Sequence, residues 1–155
     1  MAAYTVMVRQ GSGHIVNVAS LAGLMPSPIM TSYSTTKWAV VGFSTSLRVE
    51  AASLGVKVVV ACPSLVHTNI PDRTVYLNVN KAEYLKRLPW RFMMEPIDTA
   101  QAILHGVERN QAIIVCPWHG RLAWWCRRHF PWVLAPLWRM TVRFWRTLRI
   151  ETQDF

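Results

Sequence analysis

Three short apolar runs, rich in β-branched residues, constrain the fold of this 155-residue chain more than any other feature. The runs are HIVNVAS (14–20), VKVVVAC (56–62) and AIIVCP (112–117). They predict buried strands, because a strand that is covered on both faces has no polar side to alternate with an apolar one. Helical patterns separate the runs. The chain therefore predicts an α/β fold built from parallel βαβ units with right-handed crossovers and a sheet of about three strands.

Helical spacing of small and apolar residues marks the segments between these runs. The pattern predicts helices at 1–10, from about Ser32 to Leu54, and from Pro96 to about Arg109. GSG at 11–13 ends the first helix and Gly55 ends the second, while Pro96 fits the first position of the third. Residues 64–95 are polar, irregular and interrupted by prolines, which predicts a long loop with a short helix near 80–88. A loop of that length in a compact domain usually carries function.

The charge of the chain is unevenly distributed. A composition of 52% hydrophobic and 16% charged residues excludes a disordered chain. The net charge is +9, but seven arginines and no acidic residue lie between Trp118 and Ile150, so the rest of the chain contributes only about +2. The basic character thus belongs to the C-terminal segment. It does not support a nucleic-acid-binding function for the whole chain.

Cysteine usage favours a reducing compartment. Cys62 and Cys116 lie inside apolar runs, Cys126 leaves an odd thiol, and no CxxC motif is present. Buried reduced thiols are therefore expected rather than disulfides, which favours a cytoplasmic location. The sequence shows neither a signal-peptide pattern nor an uninterrupted apolar run of about 18 residues.

Residues 118–155 form a distinct C-terminal tail, predicted to be an amphipathic helical segment. It holds six of the eight tryptophans, interleaved with arginines. A helical wheel places these residues on one side: Leu134, Leu137, Trp138, Trp145 and Leu148. Arg139, Arg143 and Arg146 lie on the other side, and Arg149 lies near the border. Two interpretations remain open: peripheral binding to an anionic membrane surface, or packing on the chain's own domain with arginines outward.

Three further motifs contain side chains that can take part in catalysis. GHIVNVASLAG at 13–23 ends a strand in a serine, YSTTK at 33–37 follows with Tyr-x-x-x-Lys, and CPSLVHT at 62–68 is a strand followed by a proline turn that ends in threonine. A Tyr-x-x-x-Lys alone would carry little information, but this combination is specific. Over about residues 1–117 the chain resembles the C-terminal half of a short-chain dehydrogenase/reductase, which implies a partial Rossmann-like, doubly wound sheet.

The resemblance implies catalytic roles for Ser20, Tyr33 and Lys37. Carbonyl reduction leaves an alkoxide that needs a proton, and the phenol of tyrosine has an ordinary pKa of about 10, too high for efficient exchange near neutrality. An ammonium group one helical turn away favours the phenolate. Tyr33 would be the acid/base and Lys37 its partner and a donor to the nicotinamide ribose. The Ser20 hydroxyl would hold the substrate oxygen.

The resemblance also implies a nicotinamide cofactor, NAD or NADP, at the carboxyl ends of the strands. Tyr33, Lys37, Pro63, Val66 and Thr68 match positions that contact its nicotinamide end. Ser64 departs from the pattern, which usually has glycine there. A serine would be strained at that position if the backbone needed a positive φ.

The Gly-rich strand–turn–helix of this family, which holds the cofactor pyrophosphate, does not occur in the sequence. We therefore expect the chain to be a C-terminal fragment with weak cofactor affinity. The strand at 14–20 would then present a bare apolar edge, and the helices around it would expose apolar surface. By analogy with related enzymes, a homo-oligomer could form through the helix that ends near residue 10 and the long helix that starts near Ser32.

Two functions remain open from the sequence. The first is an NAD(P)-dependent oxidoreductase that interconverts an alcohol and a carbonyl on an apolar small molecule. The apolar substrate is suggested by residues that resemble a substrate lid and could equally be core cover: Tyr76, Leu77, Tyr84, Leu85, Trp90, Phe92, Met93 and Met94. The second is a non-catalytic membrane-surface or protein-interaction module. No metal site is predicted, because His119, His129 and Cys126 match no zinc spacing, and Asn17 receives no catalytic role.

Overall fold

The computed structural model describes residues 2–148, and they contain a parallel sheet of three strands. The strands are β1 (Gly13–Val18), β2 (Val56–Pro63) and β3 (Ile113–Cys116), in the order β1-β2-β3. Val18 pairs with Ala61, and Pro63 pairs with Cys116, so the carboxyl ends of all three strands meet at one edge of the sheet. The predicted α/β class and the three predicted strands are confirmed.

The part of the chain that the structure describes contains seven α-helices. They are α1 (Ala2–Gln10), α2 (Thr31–Ala51), α3 (Ile70–Arg73), α4 (Lys81–Lys86), α5 (Pro96–Glu108), α6 (Trp118–His129) and α7 (Ala135–Thr147). Short 3₁₀ turns lie at Leu21–Gly23, Ala52–Leu54, Trp90–Phe92 and Pro131–Leu134. The predicted helices at 1–10, 32–54, 80–88 and 96–109 are confirmed within a few residues. Gly55 has a φ of 73°, and a Cβ there would lie 2.0 Å from the Gly11 carbonyl oxygen, so only glycine fits.

The core lies along β2, the central strand, which is buried on both faces: Val56, Val58, Val60 and Cys62 lie on one face, and Val59 and Ala61 lie on the other. Val60 and Cys62 pack with Val41 of α2 and Val115 of β3 in one cluster, which Trp124 of α6 also contacts. The other cluster joins Val58 and Val56 to the second half of α2 and to α1. Burial on both faces explains why β2 consists almost entirely of apolar residues. The contact of Trp124 makes α6 part of the folded domain.

The strand β1 is an edge strand among the described residues, because it pairs only with β2. Val16 and Val18 are 38% and 57% exposed. Trp38 and Phe43 of α2 also expose large parts of their side chains. The expectation of a bare apolar edge with exposed apolar surface on neighbouring helices is confirmed for these residues.

The C-terminal tail contains two helices, α6 and α7, joined by the 3₁₀ turn, rather than one continuous amphipathic helix. Leu148 is buried and Trp138 and Trp145 are half-buried, whereas Leu137 is exposed. Leu137 lies on the same side of the wheel but is not covered, because the wheel cannot tell which neighbour covers each part of an apolar arc. Arg139, Arg143 and Arg146 are exposed, as predicted. Arg149 lies outside the described residues.

The packed side of α7 faces the segment 64–95. The rings of Tyr84 and Trp145 stack at 4.9 Å, and the Asn80 backbone N–H donates to the Leu148 carbonyl at 3.0 Å. These contacts agree with the interpretation in which the tail packs on its own domain. None of the helices within residues 2–148 is long and apolar enough to cross a membrane.

Candidate active site

Ser20 lies just beyond the carboxyl end of β1, where the chain turns into the 3₁₀ turn Leu21–Gly23. Its backbone is extended, and its Oγ accepts a hydrogen bond from the Ala22 N–H at 3.2 Å. This contact uses the oxygen as an acceptor, so the hydroxyl proton is still available for donation. A half-buried serine held in this way can hydrogen-bond a ligand oxygen at the edge of the sheet.

Tyr33 and Lys37 lie on the first two turns of α2, one above the other. The Lys37 Nζ is 5.6 Å from the centroid of the Tyr33 ring and donates to the Val18 carbonyl oxygen at 3.4 Å. Tyr33 is 40% exposed, and Lys37 is half-buried. Lys37 thus links the tyrosine to the end of the strand that leads into Ser20.

Close packing fixes the start of α2 against the 3₁₀ turn. The buried Ser34 Oγ donates to the Ala22 carbonyl at 2.7 Å. A Cβ on Gly23 would lie 2.6 Å from the Lys37 carbonyl oxygen, so only glycine permits this approach. The sequence alone did not identify Ser34 and Gly23 as residues that position the start of α2. The signal for Gly23 was its place in the quoted GHIVNVASLAG motif, whereas nothing distinguishes Ser34 from its neighbours.

The turn after β2 lies at the same edge of the sheet. The Ser64 N–H donates to the Cys116 carbonyl at 2.8 Å, and Val66 forms a parallel bridge with Met94. The Thr68 Oγ1 accepts from the Ile70 N–H at 3.4 Å, and the residue as a whole is half-buried. Ser64 is not among the described residues with positive φ. The anticipated strain at Ser64 is therefore not present.

The Cys62 thiol lies directly beneath this edge. Burial raises the pKa of Cys62 to about 11, against the smaller lowering effects of the Ser20 backbone N–H and the Lys37 charge. Burial also raises the pKa of Cys116 on the neighbouring strand. All three cysteines are free. Cys62 and Cys116 are therefore neutral core thiols near pH 7, as predicted from their apolar surroundings.

The ends of the segment 64–95 are joined beside the site. The His67 Nδ1 is 3.0 Å from the Glu95 Oε1, and the His67 ring makes an edge contact with Trp90 at 5.2 Å. No residue of this segment is buried, although Tyr84, Leu85, Met93 and Met94 are half-buried. Leu77 and Phe92 are largely exposed. Tyr76 is half-buried as well, so these exposures are compatible with both interpretations of the segment, substrate lid and core cover.

Other polar residues of the sequence serve structural roles. The Asn17 Nδ2 donates to the Ser44 Oγ at 2.9 Å, which binds β1 to α2 away from the catalytic candidates. Within residues 2–148, no group of three or more His, Cys, Asp or Glu side chains could hold a metal ion.

Comparisons with known proteins agree with this geometry. The sequence model of the short chain dehydrogenase family matches residues 1–75. The chain is 36% identical over 99 residues to 3-oxoacyl-[acyl-carrier-protein] reductase FabG of Chlamydia trachomatis, covering 63% of this chain and 39% of FabG. It is 32% identical over 115 residues to human estradiol 17-beta-dehydrogenase 11, covering 72% of this chain and 34% of that protein.

The fold matches solved structures of similar type. A short-chain dehydrogenase from Sphingobium yanoikuyae in complex with NADPH superposes with a TM-score of 0.66 and 27% identity, over 86% of this chain and 48% of that chain. The chain spans between about one third and two fifths of the length of the two curated relatives named above. The matched residues include the strand β1 and the start of α2, where the motif residues lie. By sequence and by fold, the chain belongs to the short-chain dehydrogenase/reductase family.

Proposed function

We propose that this chain carries the catalytic residues of an NAD(P)-dependent oxidoreductase that interconverts an alcohol and a carbonyl. The single observation that carries the proposal is the position of Lys37, whose Nζ contacts both the Tyr33 ring and the end of β1 next to Ser20. A lysine on an ordinary helix surface would instead extend into solvent. Residues 1–117 would supply this chemistry, and residues 118–155 would form a C-terminal tail that packs on this domain through Trp124.

The described residues fit the nicotinamide end of such a cofactor. The Lys37 ammonium and the Thr68 hydroxyl are donors near one edge of a parallel sheet, the edge where open α/β sheets bind ligands. Pro63 and Val66 would form the wall beside the ring. A bound nicotinamide supplies or accepts the hydride, and the family resemblance allows NAD as well as NADP.

The protein's own residues would then handle the proton. In the direction of reduction, the Ser20 hydroxyl hydrogen-bonds the carbonyl oxygen, and negative charge develops on that oxygen as the carbon accepts hydride. Tyr33 donates its phenolic proton to the oxygen, which becomes the alcohol. The Lys37 ammonium stabilises the phenolate until solvent returns the proton. Exposed apolar side chains of the segment 64–95, such as Leu77 and Phe92, support an apolar substrate.

The test measures the rate at which a panel of apolar ketones oxidises NADH or NADPH. The absorbance of the reduced cofactor reports this rate. We expect Tyr33→Phe to lower the rate by about a hundredfold or more, since general acid catalysis is typically of that size. Tyr4→Phe, which removes a phenol from α1, is the matched control and should retain the rate. Equal rates for Tyr33→Phe and the unmodified chain would reject Tyr33 as the acid.

A non-catalytic interaction function is the second candidate. It is favoured by the tail, in which residues 118–148 carry six arginines and no acidic residue. Loss of vesicle binding on deletion of 118–155, in a chain without reductase activity, would favour this candidate over the first.

A homo-oligomer through α1 and α2 is proposed as well, supported by the exposed Val6, Trp38 and Phe43.

A further inference from the structure

The helices α6 and α7 expose a second apolar surface, of which the helical wheel identified only Leu137. We name it the outer face. Its side chains are between 42% and 74% exposed, and they are Trp118, Leu122, Trp125, Phe130, Trp132, Val133, Leu137 and Met140. This surface is separate from the packed side of α7, which contacts Tyr84 and Asn80. An apolar surface of this extent on a folded domain usually marks an interaction site.

The outer face is continuous across the turn between the two helices. Trp118, Leu122 and Trp125 follow i, i+4, i+7 spacing on α6. The ring of Phe130 lies 5.7 Å from the ring of Trp125 and 5.7 Å from the ring of Trp132. These contacts carry the aromatic surface from α6 into the turn before α7.

A groove with three arginines lies on α7. Its volume is about 330 Å³, and it is lined by Trp138, Arg139, Val142, Arg143 and Arg146. Trp138 and Val142 supply its apolar lining, and the three arginines supply the rest. Helical geometry places Arg143 about 60° around the axis from Met140 of the outer face. The groove therefore borders the outer face at Arg143, while Arg139 and Arg146 lie about 100° and about 120° around the axis from Met140.

The charges of this groove are not neutralised by the described part of the chain. The ion pairs formed within residues 2–148 join His67 to Glu95 and Arg87 to Glu83. Arg127 contributes differently, because its guanidinium lies over the Trp138 ring at 5.6 Å and packs α6 against α7. This contact joins the helix that carries most of the aromatic surface to the helix that carries the cationic groove.

We propose that the pair α6–α7 is a docking surface for an anionic phospholipid bilayer. The aromatic side chains of the outer face enter the boundary between headgroups and acyl chains, where tryptophan is favoured. Arg139, Arg143 and Arg146 bind headgroup phosphates, for which the planar guanidinium is well suited. The proposal stands apart from the oxidoreductase function, because it uses none of Ser20, Tyr33 and Lys37.

Charge complementarity selects the bilayer over a second copy of the chain. The chain has 17 basic and 8 acidic residues, so a second copy would bring further positive charge to the groove. An anionic bilayer offers phosphates at high density beside an apolar layer. That combination matches both parts of the surface.

The test is sedimentation of the full chain with vesicles of phosphatidylcholine alone and with added phosphatidylglycerol. We expect binding that depends on phosphatidylglycerol and weakens with salt. The triple variant Arg139→Gln/Arg143→Gln/Arg146→Gln should lower the partition coefficient roughly a hundredfold, at about fivefold for each arginine near the surface. The matched control, Arg9→Gln/Arg73→Gln/Arg109→Gln, removes the same charge from exposed positions elsewhere and should lower it much less.

A second pair of variants tests the outer face. Trp118→Gln/Trp132→Gln should weaken binding and reduce quenching of tryptophan fluorescence by brominated lipid, while Leu77→Gln on the exposed segment 64–95 should not. Circular dichroism checks that each variant is folded. Equal binding to neutral vesicles or equal loss in both arginine triples would overturn the proposal. Displacement by inorganic phosphate or single-stranded DNA that exceeds the effect of sodium chloride at the same ionic strength would overturn it as well. So would elution of the chain as a dimer that does not bind vesicles.

Discussion

Ser64 occupies the position after Pro63 where the family pattern usually has glycine. In this chain its backbone does not adopt a positive φ, and its N–H is bound to the Cys116 carbonyl at 2.8 Å. Ser64→Gly should therefore relieve no strain. It should lower the free energy of unfolding by about 0.5–1 kcal/mol, because glycine gains more backbone freedom in the unfolded chain.

Urea unfolding followed by circular dichroism measures this change. Gly11→Ala is an informative comparison, since Gly11 has a φ of 69° and no neighbour within 4 Å of a Cβ. Alanine there should be destabilising for the opposite reason, backbone strain in the folded state. A gain of stability in Ser64→Gly would show that the serine is strained after all.

At the scale of single residues, the sequence predicted which side chains are candidates for the site. It did not predict the hydrogen bonds that position them. Ser20, Tyr33 and Lys37 stand out because their spacing matches a motif. Ser34 does not, because its role depends on the Ala22 carbonyl, 12 residues earlier, which approaches only after folding. Lys37 likewise reaches the Val18 carbonyl across 19 residues.

At the scale of elements, Arg48 connects α2 by hydrogen bonds to β2 and to Asn110, which follows α5. Its Nη1 donates to the Val58 carbonyl at 2.6 Å and to the Asn110 Oδ1 at 2.9 Å, and its Nη2 donates to the Asn110 carbonyl at 2.9 Å. Arg48→Gln would leave these partly buried acceptors without their charged donor. We expect a loss of about 1.5–3 kcal/mol in the free energy of unfolding.

Thermal and urea unfolding would measure this loss. Arg109→Gln, at an exposed position at the end of α5, is the matched control and should change stability by less than about 0.5 kcal/mol. A similar small effect for Arg48→Gln would mean that the three bonds contribute no net stability.

Strands and helices were predictable where local pattern decides the structure. The run VKVVVAC predicts β2 because a central strand is covered on both faces, and Gly55 marks the preceding helix end. The break between α6 and α7 also has a signal in the sequence, since Pro131 and Pro136 interrupt a continuous helix. Which part of the apolar arc of α7 is covered was not readable, because it depends on Tyr84, some 60 residues earlier.

At the scale of the whole molecule, the exposed strand β1 should control association. Its outer edge is unpaired among the described residues, and Val16 and Val18 are exposed. Val16→Lys should reduce concentration-dependent association, because a lysine on an edge strand opposes pairing with another chain.

Light scattering over a range of protein concentrations would follow this association. Val75→Lys adds the same charge at an exposed position in the segment 64–95 and should reduce association much less. Equal effects of the two variants would assign association to overall charge rather than to β1.

The central claim is that the edge of the sheet near Lys37 holds a nicotinamide cofactor. Calorimetric titration of the chain with NADH and with NADPH tests it most directly. We predict saturable binding of at least one cofactor, weakened about tenfold or more by Lys37→Met, as expected for one charged hydrogen bond. Lys57→Met, at an exposed position on β2, should leave the affinity unchanged. No binding of either cofactor, or equal weakening by both variants, would contradict the account.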